Sequence, residues 1–157
     1  MSAHLIYDNA SLGSLIRYSD GASKPPGRFT KKLAAWERNN GVGRLVKKEP
    51  SRERQTYTSP ASITLHEGNF ASDGVILVTV MRTHSIDSDL RFEIVGRPAI
   101  GMVRVVQDFG GNTELLHLAE DREAADLWLA KHRHSNARLE NVTADERAAD
   151  AIEGRAA

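Results

Sequence analysis

The feature that most constrains the fold is a series of short strand patterns between residues 61 and 118 that are joined by turns. In residues 62–66 and 90–95, apolar and polar side chains alternate, which is typical of a strand with one face in a core. Turns this short join antiparallel neighbours, because a parallel connection needs a crossover of a dozen or more residues. The pattern therefore predicts a mainly antiparallel sheet.

Two stretches predict the middle of this sheet. Residues 100–107 and 113–118 read as strands around Gly110 and Gly111, and two strand patterns on either side of a glycine pair predict a β-hairpin. Residues 75–81 are almost all apolar and mostly β-branched, and glycine flanks them. Such a run predicts a central strand that is covered on both faces.

An early helix is predicted from helical spacing. Phe29, Leu33 and Trp36 recur at i, i+4 and i+7, which places three large apolar side chains on one stripe. Residues 39–41, Asn-Asn-Gly, tolerate left-handed backbone and end the pattern. Short strands are predicted on either side, at residues 15–18 and 43–48, and residues 4–7 predict an edge strand.

In the last quarter of the chain the residue pattern becomes typical of helices. Ala125 and Trp128 belong to one apolar stripe, and Thr143 opens a capping box with an acid three residues later. The apolar face of that closing helix includes Ile152, and the helix ends at Gly154. The chain is thus predicted to be α+β, with a mainly antiparallel sheet of about six strands and an early basic helix and two C-terminal helices packed on it.

We expect one domain over residues 1–157, since a chain of this length can bury a core of its own. Four parts follow along it: a basic β-α-β segment 15–49, a mobile loop 50–60, an antiparallel sheet 61–118 and a C-terminal helical part 119–157. The 50–60 segment is polar, lacks periodicity and is bounded by prolines.

Charge is unevenly distributed along a chain whose formal net charge is zero. Residues 17–54 carry eleven Lys or Arg against four Asp or Glu, a formal charge of +7. Residues 108–157 carry six Lys or Arg against eleven Asp or Glu, a formal charge of −5. A chain of this kind can hold one positive face for an anionic partner, or it can fold its acidic part onto its own basic segment.

The early helix breaks a local rule. Its first turn carries Arg28, Lys31 and Lys32 where the helix dipole is already positive, and cations there cost about 0.3 to 1 kcal/mol each. Such violations are typical of functional sites, and free N–H groups beside fixed cations bind anions. The predicted binding residues are Arg28, Lys31, Lys32, Arg38, Arg44, Lys47, Lys48, Arg52 and Arg54. A solvated charged face is the alternative interpretation.

Two binding functions follow from these residues. In the first, a non-enzymatic protein contacts the phosphates of DNA or RNA through residues 28–54, with an affinity that falls steeply with salt. In the second, the chain is a small protein-binding regulator or inhibitor of a larger macromolecular machine, and its basic face meets an acidic protein surface. The acidic C-terminal third could then serve as a second contact or as a surface for homo-oligomers.

Catalytic chemistry has little support in the sequence. His84 with Asp87 and Asp89 supplies a base and carboxylates for acid–base work, as a small hydrolase or transferase would need. Asp108-Phe109-Gly110 matches a magnesium motif of kinases, but no phosphate loop accompanies it, so we interpret it as a turn. The sequence favours a protein that is not an enzyme.

Several other classes of site are disfavoured. The chain has no cysteine, so it has no disulfide and no thiolate ligand. His132 and His134 could supply two metal ligands, but no further ligands complete a set, and no metal is predicted. Gly41-Val42-Gly43 follows a helix and opens a strand, the reverse of a dinucleotide loop, and no cofactor is predicted. No signal peptide or membrane span is recognisable, so a cytoplasmic location and no membrane partner are expected.

Overall fold

The computed structural model describes residues 1–149, apart from the side chain of Leu77. The helices are α1 (Ala3–Asn9), α2 (Thr30–Asn39) and α3 (Arg122–Lys131), and residues 144–149 are also helical. The strands are β1 (Leu15–Ser19), β2 (Gly41–Glu49), β3 (Arg52–Glu53), β4 (Thr58–Ser59), β5 (Ser62–Ser72), β6 (Val75–Ser85), β7 (Arg91–Gly96), β8 (Val103–Phe109), β9 (Asn112–Ala119) and β10 (Ala137–Asn141).

Eight of these strands form one antiparallel sheet, which confirms the α+β class, although the sheet has more strands than the six that the sequence predicts. β2 organises it, because β2 pairs with three neighbours. Along one edge it pairs with β5, and along the other it pairs first with β1, at Arg44 opposite Leu15, and then with β9, at Lys47 opposite Glu114. The sheet therefore divides at β2 into a β7-β1 branch and a β9-β8-β10 branch.

The first core lies between the β7-β1 branch and α1. Ser2 caps α1 by accepting a hydrogen bond from the Leu5 N–H, and Ala3, Ile6 and Ala10 are fully buried. The prediction of an edge strand at residues 4–7 is therefore wrong. The spacing of Ala3, Ile6 and Ala10 is helical, and burial of that stripe against β1, β5 and β7 stabilises a helix here.

The second core lies under α3. Val103, Val105, Ala119 and Ala125 pack there, with the predicted apolar residue Trp128 at the margin. The β8–β9 hairpin is confirmed: Phe109 pairs with Asn112 across the glycine pair, and both glycines have positive φ (58° and 84°), as a tight hairpin turn requires. A third group, Val46, Val106 and Leu115, joins the two cores where the branches divide.

One buried arginine, Arg104, links β8 to three other segments of the chain. The Arg104 side chain is 2% exposed, and its Nε donates to the Leu12 carbonyl oxygen at 2.7 Å. Its two terminal nitrogens donate to Glu146, and one of them also donates to Glu140 at 3.3 Å. Arg104 therefore connects β8 with β10, with the segment before β1 and with the helix at residues 144–149.

The prediction of a central strand at residues 75–81 is wrong. Among the described strands β6 pairs with β5 alone, and the last β5 residue paired to β2 is His66. Beyond it, residues 68–72 and 75–80 form a two-stranded ribbon that extends past the sheet, with Phe70 at 65% and Val78 at 53% exposure. Apolar composition alone does not distinguish a doubly covered strand from an exposed one, because the tertiary neighbours decide burial.

The remaining predictions concern the loop and the C-terminal part. Within residues 50–60, β3 and β4 form a two-stranded ladder of their own. In the predicted helical part, β10 joins the sheet beside β8, and Ile152 and Gly154 lie outside the described residues. Among residues 1–149 there is no helix with the length and apolar character needed to cross a membrane.

Candidate functional site

Helix α2 is presented on the surface rather than packed on the sheet. None of its residues is buried, and Phe29, which precedes its first turn, is 42% exposed. The predicted packing of this helix on the sheet is therefore wrong, because α1 already covers the apolar face of β1, β2 and β5. Leu33 and Trp36 are only half-buried. The energy that holds α2 in place must come largely from other contacts.

Those contacts are polar and lie near the C-terminal end of α2. Asp20 accepts hydrogen bonds from the Ala22 N–H at 2.9 Å and from the Asn40 amide at 3.0 Å. Asn40 also donates to the Trp36 carbonyl oxygen, and the Trp36 indole donates to the Ala22 carbonyl oxygen at 2.8 Å. The hydrogen bonds from Asn40 and Ala22 lower the pKa of Asp20. Asp20 thus ties the preceding loop to the end of the helix.

A second link joins α2 to β6. Arg82 donates to the Arg38 carbonyl oxygen at 2.6 Å, in the last turn of α2, and its Nε lies 3.3 Å from Glu67 Oε1. Glu67 accepts the hydrogen bond of the Tyr18 hydroxyl, and burial together with this bond raises the pKa of Tyr18. A Cβ at Gly41 would lie 2.5 Å from that hydroxyl oxygen, so glycine leaves the space that the tyrosine occupies.

The four predicted cations of the helix segment, Arg28, Lys31, Lys32 and Arg38, are exposed. Within residues 1–149 no carboxylate forms an ion pair with any of them. Arg28 and Lys32 lie over the Phe29 ring, at 4.8 and 5.3 Å from its centroid. The first turn of α2 contains no acid and has no side-chain cap. The helix therefore presents cations and an aromatic ring together.

The predicted cations of β2 are engaged within the protein. Arg44 is half-buried and donates to the Gly13 carbonyl oxygen at 2.6 Å. Lys47 forms an ion pair with Glu49 at 2.8 Å. Its hydrogen bond lowers the pKa of the Glu49 carboxyl, and the opposing effect of burial is smaller. Lys48 lies 5.8 Å from the centre of the Tyr7 ring. These three residues do not continue the exposed surface of α2.

Arg52 and Arg54 follow the C-terminal end of β2, whereas α2 precedes its N-terminal end. Both are exposed, and Arg54 stacks 5.8 Å from the centre of the Tyr57 ring, beside the β3–β4 ladder. β2 spans eight residue steps, so at a rise of about 3.3 Å each its ends are about 26 Å apart. The nine predicted residues therefore form two exposed groups with an internally bonded strand between them.

The candidate catalytic group is not assembled. His84 is 8% exposed and packs 4.6 Å from the Tyr18 ring and 5.3 Å from the Phe92 ring. Its Nε2 is buried and has no hydrogen-bond partner in the described residues, while Asp87 and Asp89 are exposed. Neither carboxylate is hydrogen-bonded or ion-paired to His84. This histidine is a core residue.

Burial makes His84 a source of pH-dependent stability. Burial lowers its pKa below the ordinary value of 6.5, Arg82 lowers it further, and Glu67 opposes both. As pH falls below about 6.5, His84 becomes protonated in the unfolded chain but stays neutral in the folded chain. The folded state therefore loses stability by at most about 1.4 kcal/mol per pH unit. We expect His84→Phe to remove this component while keeping the ring contacts. Urea unfolding at pH 7.5, 6.5 and 5.5 measures it, and parallel curves for the two proteins would contradict it.

A set of stacked rings lies apart from α2, and the sequence pattern offers little indication of it. Trp128 in α3 stacks on His117 of β9 at 5.0 Å between ring centres and on His132 and His134 at 4.3 and 5.5 Å. The interplanar angles are 4°, 15° and 2°. In the part of the chain that the structure describes, no group of three or more potential ligands is placed to hold one metal ion. The spacing of Trp128, His132 and His134 along the sequence was the feature that could have indicated this stack of rings.

These features define the class: an α+β protein with one divided antiparallel sheet, a basic helix exposed on the surface and a separate set of stacked aromatic rings. The chain belongs to the family described as Uncharacterised conserved protein UCP036055, whose family model matches residues 1–146. No curated protein matches the chain. No solved structure matches it either.

Proposed function

We propose that this protein binds nucleic acid through the phosphates, using the exposed cations of the α2 surface, which are Arg28, Lys31, Lys32 and Arg38. The observation that carries the proposal is that these four side chains are exposed and have no carboxylate partner within residues 1–149. Cations that were needed for internal ion pairs would be satisfied in the folded chain, as Arg104 is by Glu146. Unpaired cations on one presented element suit an external polyanion.

The way α2 is held supports the same function. Its polar links at Asp20, Asn40 and Arg82 fix the C-terminal end, and the first turn, with its unbonded N–H groups and cations, is left open to solvent. A fixed helix loses little conformational entropy when it binds, so the contacts it forms are retained as affinity. Phe29, placed between Arg28 and Lys32, adds an aromatic face on which a base could stack.

The second exposed group, Arg52 and Arg54, extends the proposed contact. It lies beyond the far end of β2, a strand about 26 Å long, and a duplex that ran the length of β2 would cover about eight base-pair steps at about 3.4 Å each. A nucleic-acid strand that ran alongside β2 would pass both groups. Arg44, Lys47 and Lys48 are not needed for this contact, because each of them already makes a contact inside the protein and none belongs to the two exposed groups.

Binding to labelled DNA and RNA at increasing salt tests the proposal. For duplex DNA the slope of log K against log salt is about −0.9 for each neutralised phosphate, so the four α2 cations predict a slope near −4, and six cations predict a slope near −5. Fluorescence anisotropy between 50 and 300 mM salt measures it. A slope near zero, or no binding at the lowest salt, would overturn the proposal.

A second candidate function is binding to a protein, as a small regulator or inhibitor of a larger assembly. The β5–β6 ribbon favours it, because Phe70, Val75 and Val78 are each more than half exposed on a two-stranded element that extends past the sheet. Isolated ribbons of two strands are marginally stable, and exposed apolar patches commonly mark protein contacts. A pull-down from nuclease-treated lysate separates the two functions: a stoichiometric protein partner supports this one, and loss of all partners supports the first.

A further inference from the structure

A cleft of about 540 Å³ lies between the β5–β6 ribbon and the β9–α3 side of the molecule, away from α2. Ile76 and Met81 contribute to the wall on the ribbon, and His117 and Trp128 contribute to the opposite wall. Val46 of β2 lies between them, where the sheet divides. Sites for small organic ligands usually enclose about 300 to 1,000 Å³, so the cleft has the size for one such molecule.

One side of this cleft is lined by aromatic rings that stack on one another. Trp128, His117, His132 and His134 all line it, and the three imidazole rings lie within 15° of the plane of the indole. The His132 ring is fixed further by a 3.0 Å hydrogen bond between its Nδ1 and the Trp128 carbonyl oxygen. Rings that are already parallel provide a stacking surface for another planar ring at little cost in entropy.

Arg44 supplies a cation in the same cleft. Its guanidinium is half-buried, and among residues 1–149 it makes one hydrogen bond, to the Gly13 carbonyl oxygen, which leaves donors unused there. Glu114 also lines the cleft, but it is neither hydrogen-bonded nor ion-paired to Arg44 in the described residues, and it lies opposite Lys47 in the β2–β9 ladder. Burial lowers the pKa of Arg44, so its charge lacks full compensation. A bound anion would provide that compensation.

The remaining lining is apolar or weakly polar. Ile76, Met81 and Leu115 give the space beside the rings apolar walls, and methionine adapts its shape to a ligand. His66, which lies opposite Arg44 in the β2–β5 ladder, is hydrogen-bonded to Asn69 at 2.8 Å. A ligand ring with nitrogen or oxygen atoms at its edge would contact His66 and Asn69.

We propose that the cleft binds a planar aromatic compound that carries one anionic group, with its ring stacked beside Trp128 and its anion at Arg44. This assigns Arg44 to a small-molecule site rather than to the phosphates of a long nucleic acid. The site is independent of the α2 surface. The anionic group is either the phosphate of a nucleotide or the carboxylate of an aromatic acid, since both present oxygen pairs that a guanidinium binds.

Isothermal titration calorimetry with three probes tests the proposal: adenosine 5′-monophosphate, adenosine and naphthalene-2-carboxylate. We expect at least one of the two anionic probes to bind with Kd at or below about 1 mM. Adenosine should bind at least about tenfold more weakly than its monophosphate if the nucleotide is the ligand, because a charged hydrogen bond is lost. Tight binding of the naphthoate alone would identify the aromatic acid.

Variants locate the binding. Arg44→Gln should reduce affinity for the anionic probe about tenfold, and Trp128→Leu should do the same because its stacking contact is lost. Because Trp128 also borders a core, His134→Ala serves as a second stack variant at an exposed ring, and we expect it to weaken binding with an unchanged thermal midpoint. Lys31→Glu/Arg38→Glu should bind the probes as the parent does. Absence of heat for both anionic probes at millimolar concentration, or full affinity in Arg44→Gln, would overturn the proposal.

Discussion

Reversing Lys31 and Arg38 to glutamate is expected to lower the affinity for duplex DNA on the order of 100-fold at 0.1 M salt. Each lost phosphate contact forfeits the release of about 0.9 counterion, which is worth about 1.2 kcal/mol at this salt, and reversal adds repulsion. The slope of log K against log salt should also decrease by about two. Fluorescence anisotropy with one labelled duplex measures both quantities.

The fold of this double variant should survive. Lys31 lies in the first turn of α2, where a carboxylate interacts favourably with the helix dipole, and neither side chain is buried. A matched control is Arg122→Glu/Lys131→Glu on α3, which is also ten residues long and carries one exposed Arg and one exposed Lys. It changes the net charge by the same amount. Equal losses of affinity in the two variants would show that net charge, rather than the α2 surface, controls binding, and would contradict the proposed function.

Arg104→Ala is expected to lower the free energy of unfolding by about 3 to 5 kcal/mol. The lost side chain is 2% exposed, so its removal leaves a cavity, and it also takes the ion partner from Glu146, which is 26% exposed. Burial raises the pKa of Glu146, but the hydrogen bond and charge of Arg104 outweigh burial and hold that pKa below its ordinary value. The Leu12 carbonyl oxygen loses its donor as well. Urea unfolding at pH 7 measures the change.

Arg138→Ala is the matched control. Arg138 also pairs with Glu140, and with Asp108 at 2.9 Å, but its side chain is 48% exposed. Exposed ion pairs contribute about 0 to 1 kcal/mol, so this variant should lie close to the parent. If Arg104→Ala lost no more than Arg138→Ala, the carboxylates would have been rehydrated at little cost, and Arg104 would not be the residue that joins the segments around β8.

The predictions that held depend on local chemistry. The glycine pair at Gly110 and Gly111 predicted the β8–β9 hairpin, because few residues other than glycine adopt the positive φ that the turn needs. The pattern around Phe29 predicted a helix, and α2 begins at Thr30. Alternation at residues 62–66 predicted β5, although the strand continues to Ser72 through a bulge near Gly68. Short-range spacing was sufficient for all three.

The candidate sites could be predicted from the sequence only in part. The exposed cations of α2 could be chosen from spacing and charge, but the internal partner of Arg44 could not, since Gly13 is thirty-one residues from Arg44. The aromatic cleft was missed, because His117 reaches Trp128 only through the packing of α3 on β9.

The sequence by itself determined the class of the protein, its turns and the position of its basic helix, because these depend on residues within a few positions of one another. Only the tertiary structure decided that residues 75–80 form an exposed ribbon, that α2 is held by polar links, and that one cleft brings Arg44 to the stacked rings. The physical reason is that burial and ion pairing depend on which surfaces meet across the sheet. In this chain those surfaces are set by β2, which pairs with three strands that are distant from one another in sequence.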